Sequence, residues 1–296
     1  MPIVSIQDQA LHAGVHPERN YYPALISLAI LYFMMGFITC LNDSLVPFFK
    51  AGCHLSYSQS SLVQFYFFLT YALVSVPAGK LVECIGYKQG MVIGFLIAAC
   101  GALLFLPASI FHVYTLFLTS LFILATGIVV LQVSANPYIT VLGPAETASA
   151  RLTLIQGVGS VGTTVAPVFG SAFILSSLEL VPGSSAAVRL PYIGIAICLL
   201  LIAAAVWKMK LPKMSATAGD GSTAESVWAF RNLKFGIVGI FMYVGAEVSI
   251  GTFLTSYISD KVHLPAHIAN SYVAFYWGGM LGGRLMGSLL LRRMRP

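Results

Sequence analysis

Charge is what this sequence has least of. Only 9% of its 296 residues are Asp, Glu, Lys or Arg, where a soluble domain carries about 25%. With 58% hydrophobic residues and a mean hydropathy of +0.86, a water-soluble fold is excluded. Short alternating strands are missing too. The apolar segments run to helix length, which excludes a transmembrane barrel. Cysteine is sparse: positions 40, 53, 84, 100 and 198 are odd in number, scattered and mostly inside apolar segments. They form neither a disulfide framework nor a metal site. The six histidines fall in loops or tails, and His263 and His267, four apart, lack a third ligand and read as interfacial. Gly79-Lys80 is not a phosphate loop, because no glycine precedes it at the right spacing and Leu81 stands where Ser or Thr is needed. With no Ser-His-Asp, Cys-His or metal cluster, no enzyme, no cofactor and no metal are expected. The net charge of +6 reports topology rather than nucleic-acid binding. Met1 to Arg19 is polar and lacks the apolar core of a signal peptide, so the first span is expected to direct insertion.

What is present is a series of apolar segments in an all-α, polytopic membrane chain. Eight spans are predicted, at roughly 23–49, 58–80, 89–107, 112–139, 151–176, 190–208, 234–258 and 268–291. Each is long enough for a hydrocarbon core about 30 Å thick. Four segments follow: a tail at 1–22, a six-helix bundle at 23–208, a polar linker at 209–233 and a partial second bundle at 234–296. With the N-terminus in the cytoplasm, twelve Lys and Arg lie in inside segments and three, Lys50, Arg189 and Lys261, in outside loops. The positive-inside rule therefore predicts cytoplasmic termini and linker.

The last two spans repeat the first two. Phe33-Met34 and Phe241-Met242 open matching stretches, each running to a His-Leu pair (His54-Leu55, His263-Leu264). Each then enters an aromatic run, Phe65 to Phe68 or Phe275 to Trp277, and reaches Gly79 or Gly287. The offset is about 208 residues. Parallel halves of this kind build one large class of transporters. A second half should have six spans, so the sequence reads as about two-thirds of a carrier.

Polar residues inside the spans are the functional candidates. Asp43 lies in an apolar run from Tyr32 to Phe49, where a carboxylate costs about 2.5–3.5 kcal/mol on insertion scales. Gln132 and Asn136 share a helix face, and Pro137 frees a carbonyl beside them. Two amides and a carbonyl suit sugar hydroxyls, or equally a helix–helix bond at a kink. Gln156, Ser160 and Thr163 share a face of span five. Gly162, Ala166 and Gly170 form a ladder of small residues, and Gly279, Gly283 and Gly287 repeat it in span eight; both read as close-packing surfaces. Glu247, with Tyr243 one turn earlier, is the second deep carboxylate. An ion pair with Arg284 is the minority reading, since Arg284 lies toward the cytoplasmic end of its span.

Leu41-Asn42-Asp43, Pro77-Ala78-Gly79-Lys80-Leu81, Gly86-Tyr87-Lys88, Ala135-Asn136-Pro137-Tyr138, Val141-Leu142-Gly143-Pro144 and Tyr243-Val244-Gly245-Ala246-Glu247 resemble the fucose permease group of the major facilitator superfamily. Gln132 and Gly245-Ala246-Glu247 resemble its glucose/galactose branch. The resemblance implies two six-helix bundles, a central sugar site and alternating access. It also implies proton symport of a hexose, glucose/galactose-type or fucose, across the inner membrane, with Asp43 protonatable. The family's second acid falls on Gln132, and an asparagine beyond the sugar-binding Gln156 falls on Gly159. The expected set is then Asp43 and Glu247 for coupling, and Asn42, Gln132, Asn136, Gln156, Tyr243 and Glu247 for sugar. The partners are a monosaccharide, H+ (or Na+) and the lipid bilayer. A sodium-coupled carrier and a truncated, non-transporting fragment are the competing expectations.

Overall fold

The structure, a computed structural model, describes residues 22–52, 56–142, 145–176, 188–209 and 231–291. Every regular element among them is helical. In chain order they are α1 (Tyr22–Gly52), α2 (Tyr57–Ile85), α3 (Tyr87–Leu103), α4 (Phe105–Phe111), α5 (Tyr114–Val141), α6 (Ala148–Gly170), α7 (Arg189–Lys208), α8 (Arg231–Val262) and α9 (Ala266–Leu291). A 3-10 turn at Ala145–Thr147 precedes α6, and a π turn at Ser171–Leu175 continues it. Helices follow from the solvent: in lipid each backbone N–H and C=O must be satisfied within its own segment.

Seven helical segments among the described residues are long and apolar enough to cross a membrane; α3 and α4 together make one of them. The eighth predicted span differs. As α9 it is a 26-residue helix, but it is absent from that set. Its glycines at 278, 279, 282, 283 and 287, with Asn270, Ser271 and Arg284, dilute its apolar character. The predicted linker 209–233 lies largely outside the described residues, and Arg231 to Leu233 already belong to α8. The tail lies outside them as well, apart from Tyr22.

The turns are local chemistry. Ser56 and Gln59 form a reciprocal capping box that starts α2, satisfying two otherwise orphaned donors. Gly86, at φ +84, lets α2 reverse directly into α3; a side chain there would be strained. Lys88 donates to the carbonyls of Trp207 and Met209 at 2.8 and 2.7 Å, closing the end of α7. Arg151 donates to Thr140 O at 2.9 Å, one turn beyond Pro137 in α5. Cations belong at such C-terminal ends. These two charges, which the sequence marks as topological, also fasten helix ends.

Small residues set the closest approaches. A Cβ on Gly162 would strike the backbone of α1 at Phe33 and, at 2.8 Å, at Phe37. On Gly170 it would strike Ser44, and Ala166 between them is fully buried. Gly159 is held the same way, with its Cβ position 3.0 Å from Tyr32 O. A side chain there would press on the α1 backbone, which gives a packing reason for the glycine. The ladder in α9 has different surroundings among the described residues. Gly279 and Gly283 have nothing within 4 Å of a Cβ, and Gly287 meets only Thr153 Cγ2 at 3.9 Å.

Candidate functional site

Asp43 is where the six-span unit meets the α8–α9 hairpin. It sits on α1 and is 9% exposed. Its Oδ1 accepts from Gln64 Nε2 of α2 and from Thr252 Oγ1 of α8, the latter at 3.3 Å. Gln64 Nε2 also donates to Thr252 Oγ1 at 2.7 Å. Asn42 Nδ2 donates to Gln64 Oε1, and Cys40 lies one turn back on α1, buried. Neutral dipoles surround the carboxylate. Two buried polar atoms here have no partner among the described residues: Asn42 Oδ1 and Trp277 Nε1 of α9.

The next residue on α1 begins a second network. Ser44 Oγ accepts from Asn270 Nδ2 of α9 at 3.1 Å. Asn270 Nδ2 also reaches Pro167 O at 2.7 Å and Ser171 Oγ at 3.2 Å, both in the α6 segment. Asn270 Oδ1 accepts from Thr255 of α8 at 3.0 Å. The two networks are anchored on consecutive residues of α1 and on Thr252 and Thr255, one turn apart on α8.

Three further amides expected to hold sugar, Asn136, Gln132 and Gln156, lie on α5 and α6. Asn136 is half-buried and accepts from the Tyr32 hydroxyl of α1. Gln132 Nε2 lies 3.5 Å from the Tyr71 hydroxyl of α2. Both amides thus face the junction of α1, α2 and α5. Gln156 is half-buried on α6, and a Cβ on its neighbour Gly157 would lie 3.2 Å from Leu285 of α9.

Glu247 takes the reading that the sequence disfavoured. Arg284 Nη2 lies 3.7 Å from its Oε1. The two residues are 15 and 18 positions from the facing ends of α8 and α9. A rise of ~1.5 Å per residue puts them about 23 and 27 Å from the hairpin turn, within reach of an arginine. Tyr243 is 55% exposed, and Tyr276 donates to Glu247 O at 3.1 Å. Asp43 does not face Glu247. It faces Thr252, five residues further along α8.

Gln64, Thr252 and Asn270 were absent from the expected set. The repeat carries a signal for one of them. His54 and His263 differ by 209 positions, and so do Asp43 and Thr252. Residues on the axis of a parallel repeat must meet their own equivalents. Among the described residues no three His, Cys, Asp or Glu come together as a metal would require.

Residues 28–296 match the Major Facilitator Superfamily. The chain is 47% identical over 288 residues to a glucose/galactose transporter of Brucella abortus, covering 95% of this chain and 70% of that protein. It is 40% identical to a putative glucose/galactose transporter of Helicobacter pylori, over 92% and 69% of the two chains. It is 32% identical to an L-fucose-proton symporter of Escherichia coli, over 99% and 73%. Among solved structures, the E. coli fucose:proton symporter superposes with a TM-score of 0.76 at 31% identity, over 94% of this chain and 73% of that one. An all-helical membrane fold, the match across nearly the whole chain and this superposition agree: the chain belongs to the Major Facilitator Superfamily.

Proposed function

We propose that this chain carries a hexose of the glucose/galactose class, with a proton, by alternating access. It sits in the inner membrane with both termini in the cytoplasm. The observation that carries the reading is Asp43, a carboxylate buried at the junction of the two sequence repeats and bonded only to uncharged partners. A carboxylate so placed is costly when ionised. Taking up a proton removes that cost and loosens the acceptor bonds from Gln64 and Thr252. The charge state of one atom group then sets how firmly α1 and α2 are held to α8. The names of the relatives support the substrate class and, for the fucose carrier, the coupling ion.

Asn42, Gln132, Asn136 and Gln156 supply sugar contacts from the first unit. Tyr243 and Glu247 supply them from α8. Neutral amides offer a sugar hydroxyl both donors and acceptors, and Tyr32 and Tyr71 hold two of these amides in place. Glu247 is the lesser candidate for carrying the proton, because Arg284 already offsets its charge.

Uptake into proteoliposomes tests the reading. Asp43→Asn should abolish accumulation against a gradient while sugar exchange at equilibrium persists. Undiminished accumulation by that variant sinks the coupling role. Sodium is the second reading, favoured by the unpartnered Asn42 Oδ1 beside the Asp43 carboxylate and the Thr252 hydroxyl. Oxygen donors of this kind suit a hard cation. Accumulation at fixed pH with and without sodium separates the two.

A further inference from the structure

One amide closes the seam between the six-span unit and the α8–α9 hairpin. Asn270 is 1% exposed, and its contacts reach α1, α6 and α8 at once. Its NH2 group has only two protons, facing one carbonyl and two hydroxyls. Ser171 itself donates to Pro167 O at 2.7 Å. The Pro167 carbonyl is thus the focus of the cluster, with a backbone N–H, a hydroxyl and the Asn270 amide all directed at it. It stands where α6 passes into the π turn Ser171–Leu175, and such widened turns often mark sites of function. All these residues lie near the ends of their helices on the side of the α8–α9 turn, which the proposed topology places outside.

We propose that Asn270 is the positioning residue that fastens the outer end of this carrier shut. Its bonds to Ser44 and to the Pro167 carbonyl break each time the carrier opens outward. Asp43 and Ser44 are adjacent on α1, and Thr252 and Thr255 lie one turn apart on α8. Loosening Asp43 from Thr252 therefore loosens the turn of α8 that orients Asn270. Coupling site and fastener share two helices and act on the same seam. This inference rests on the proposed orientation and transport cycle.

Cys40 is a built-in reporter. It is 2% exposed and one turn inward of Ser44 on α1. In the full chain, with Cys53, Cys84, Cys100 and Cys198 replaced by serine, a membrane-impermeant maleimide is applied to intact cells and to inside-out vesicles. Asn270→Leu should raise the rate of Cys40 labelling from outside about tenfold, a shift of ~1.4 kcal/mol in the closed-to-open balance. Asn270→Asp keeps the size and the acceptor for Thr255 but sets an acceptor against the Pro167 carbonyl, and should do the same. Ser44→Ala, the mildest change, should raise the rate less. Unchanged outside labelling in Asn270→Asp and Ser44→Ala, at the parent's abundance, overturns the proposal. So does an equal rise from both sides, which marks a merely structural residue. A rise confined to inside-out vesicles upholds the fastener and overturns the orientation. A rise from outside in a chain that moves no hexose upholds the fastener and overturns the transport reading.

Discussion

The pair α1–α2 and the pair α8–α9 are repeats in sequence, yet the structure treats them differently. In the most apolar stretch of each leading helix, 44% of α1's residues are buried against 11% of α8's. α1 lies in the glycine seam of α6, and its carboxylate is enclosed by amides and hydroxyls. α8 is buried only at Gly251, Thr252 and Thr255, where it meets the first unit and α9. Its carboxylate, Glu247, is paired with an arginine. The repeat encodes where helices and turns fall. The chain spans 70% of the length of the glucose/galactose transporter it matches, so the contrast that bears on the carboxylates is in their partners: amides and hydroxyls for Asp43, an arginine for Glu247.

The largest expected effect comes from the two glycine ladders. Gly162→Leu would drive a side chain into the α1 backbone, where no rotamer gives relief. The expected loss is ~3 kcal/mol or more, read as failure to recover monodisperse protein from detergent. Gly283→Leu enters open space and should stay within ~0.5 kcal/mol. Equal damage from both would mean that the α9 ladder is packed after all.

Next in size is the contrast between the carboxylates. Asp43→Asn should lose concentrative uptake, whereas Glu247→Gln should keep a gradient at reduced sugar affinity. If Glu247→Gln alone abolishes accumulation and Asp43→Asn does not, the two roles are reversed. A double-mutant cycle of Glu247→Gln with Arg284→Gln follows. The pair is 3.7 Å apart with the arginine 31% exposed, so a coupling of ~0.5–1 kcal/mol in thermal stability is expected. A coupling near zero would return Glu247 to the pool of free carboxylates, and with it the case for proton carriage.

How much of this was legible depends on the kind of feature. Spans were legible because length and hydropathy are local properties, and the α9 assignment weakened where glycine and asparagine dilute them. Asp43 stood out because charge in an apolar run is costly wherever the helix packs. Thr252 was legible in part, since the repeat offset of 208 to 209 leads from Asp43 to Gly251 or Thr252. Asn270 was not. Its partners include the Pro167 carbonyl beside a π turn, and no sequence pattern announces which backbone oxygen a distant side chain will meet. The Glu247–Arg284 pair was underrated because the sequence was read span by span. The register of the antiparallel hairpin puts the two residues nearly level.

The smallest effect sharpens the comparison most. Thr252 is the hydrogen-bond partner of Asp43 and lies at the offset of the His54 and His263 pair. Thr252→Val removes a 3.3 Å bond to the carboxylate and a 2.7 Å bond from Gln64, leaving Gln64 to hold Asp43. One neutral hydrogen bond is worth ~0.5–1.5 kcal/mol, so uptake should fall only severalfold and the gradient should survive. Asp43→Thr combined with Thr252→Asp then moves the carboxylate a few ångströms across the repeat axis, from α1 to α8, among the same neighbours. If coupling depends on a buried carboxylate at this junction, the swapped chain should regain part of the accumulation that Asp43→Thr loses alone. If coupling depends on α1 itself, the swap should recover nothing, and the difference between the repeats lies in the helix rather than in its surroundings.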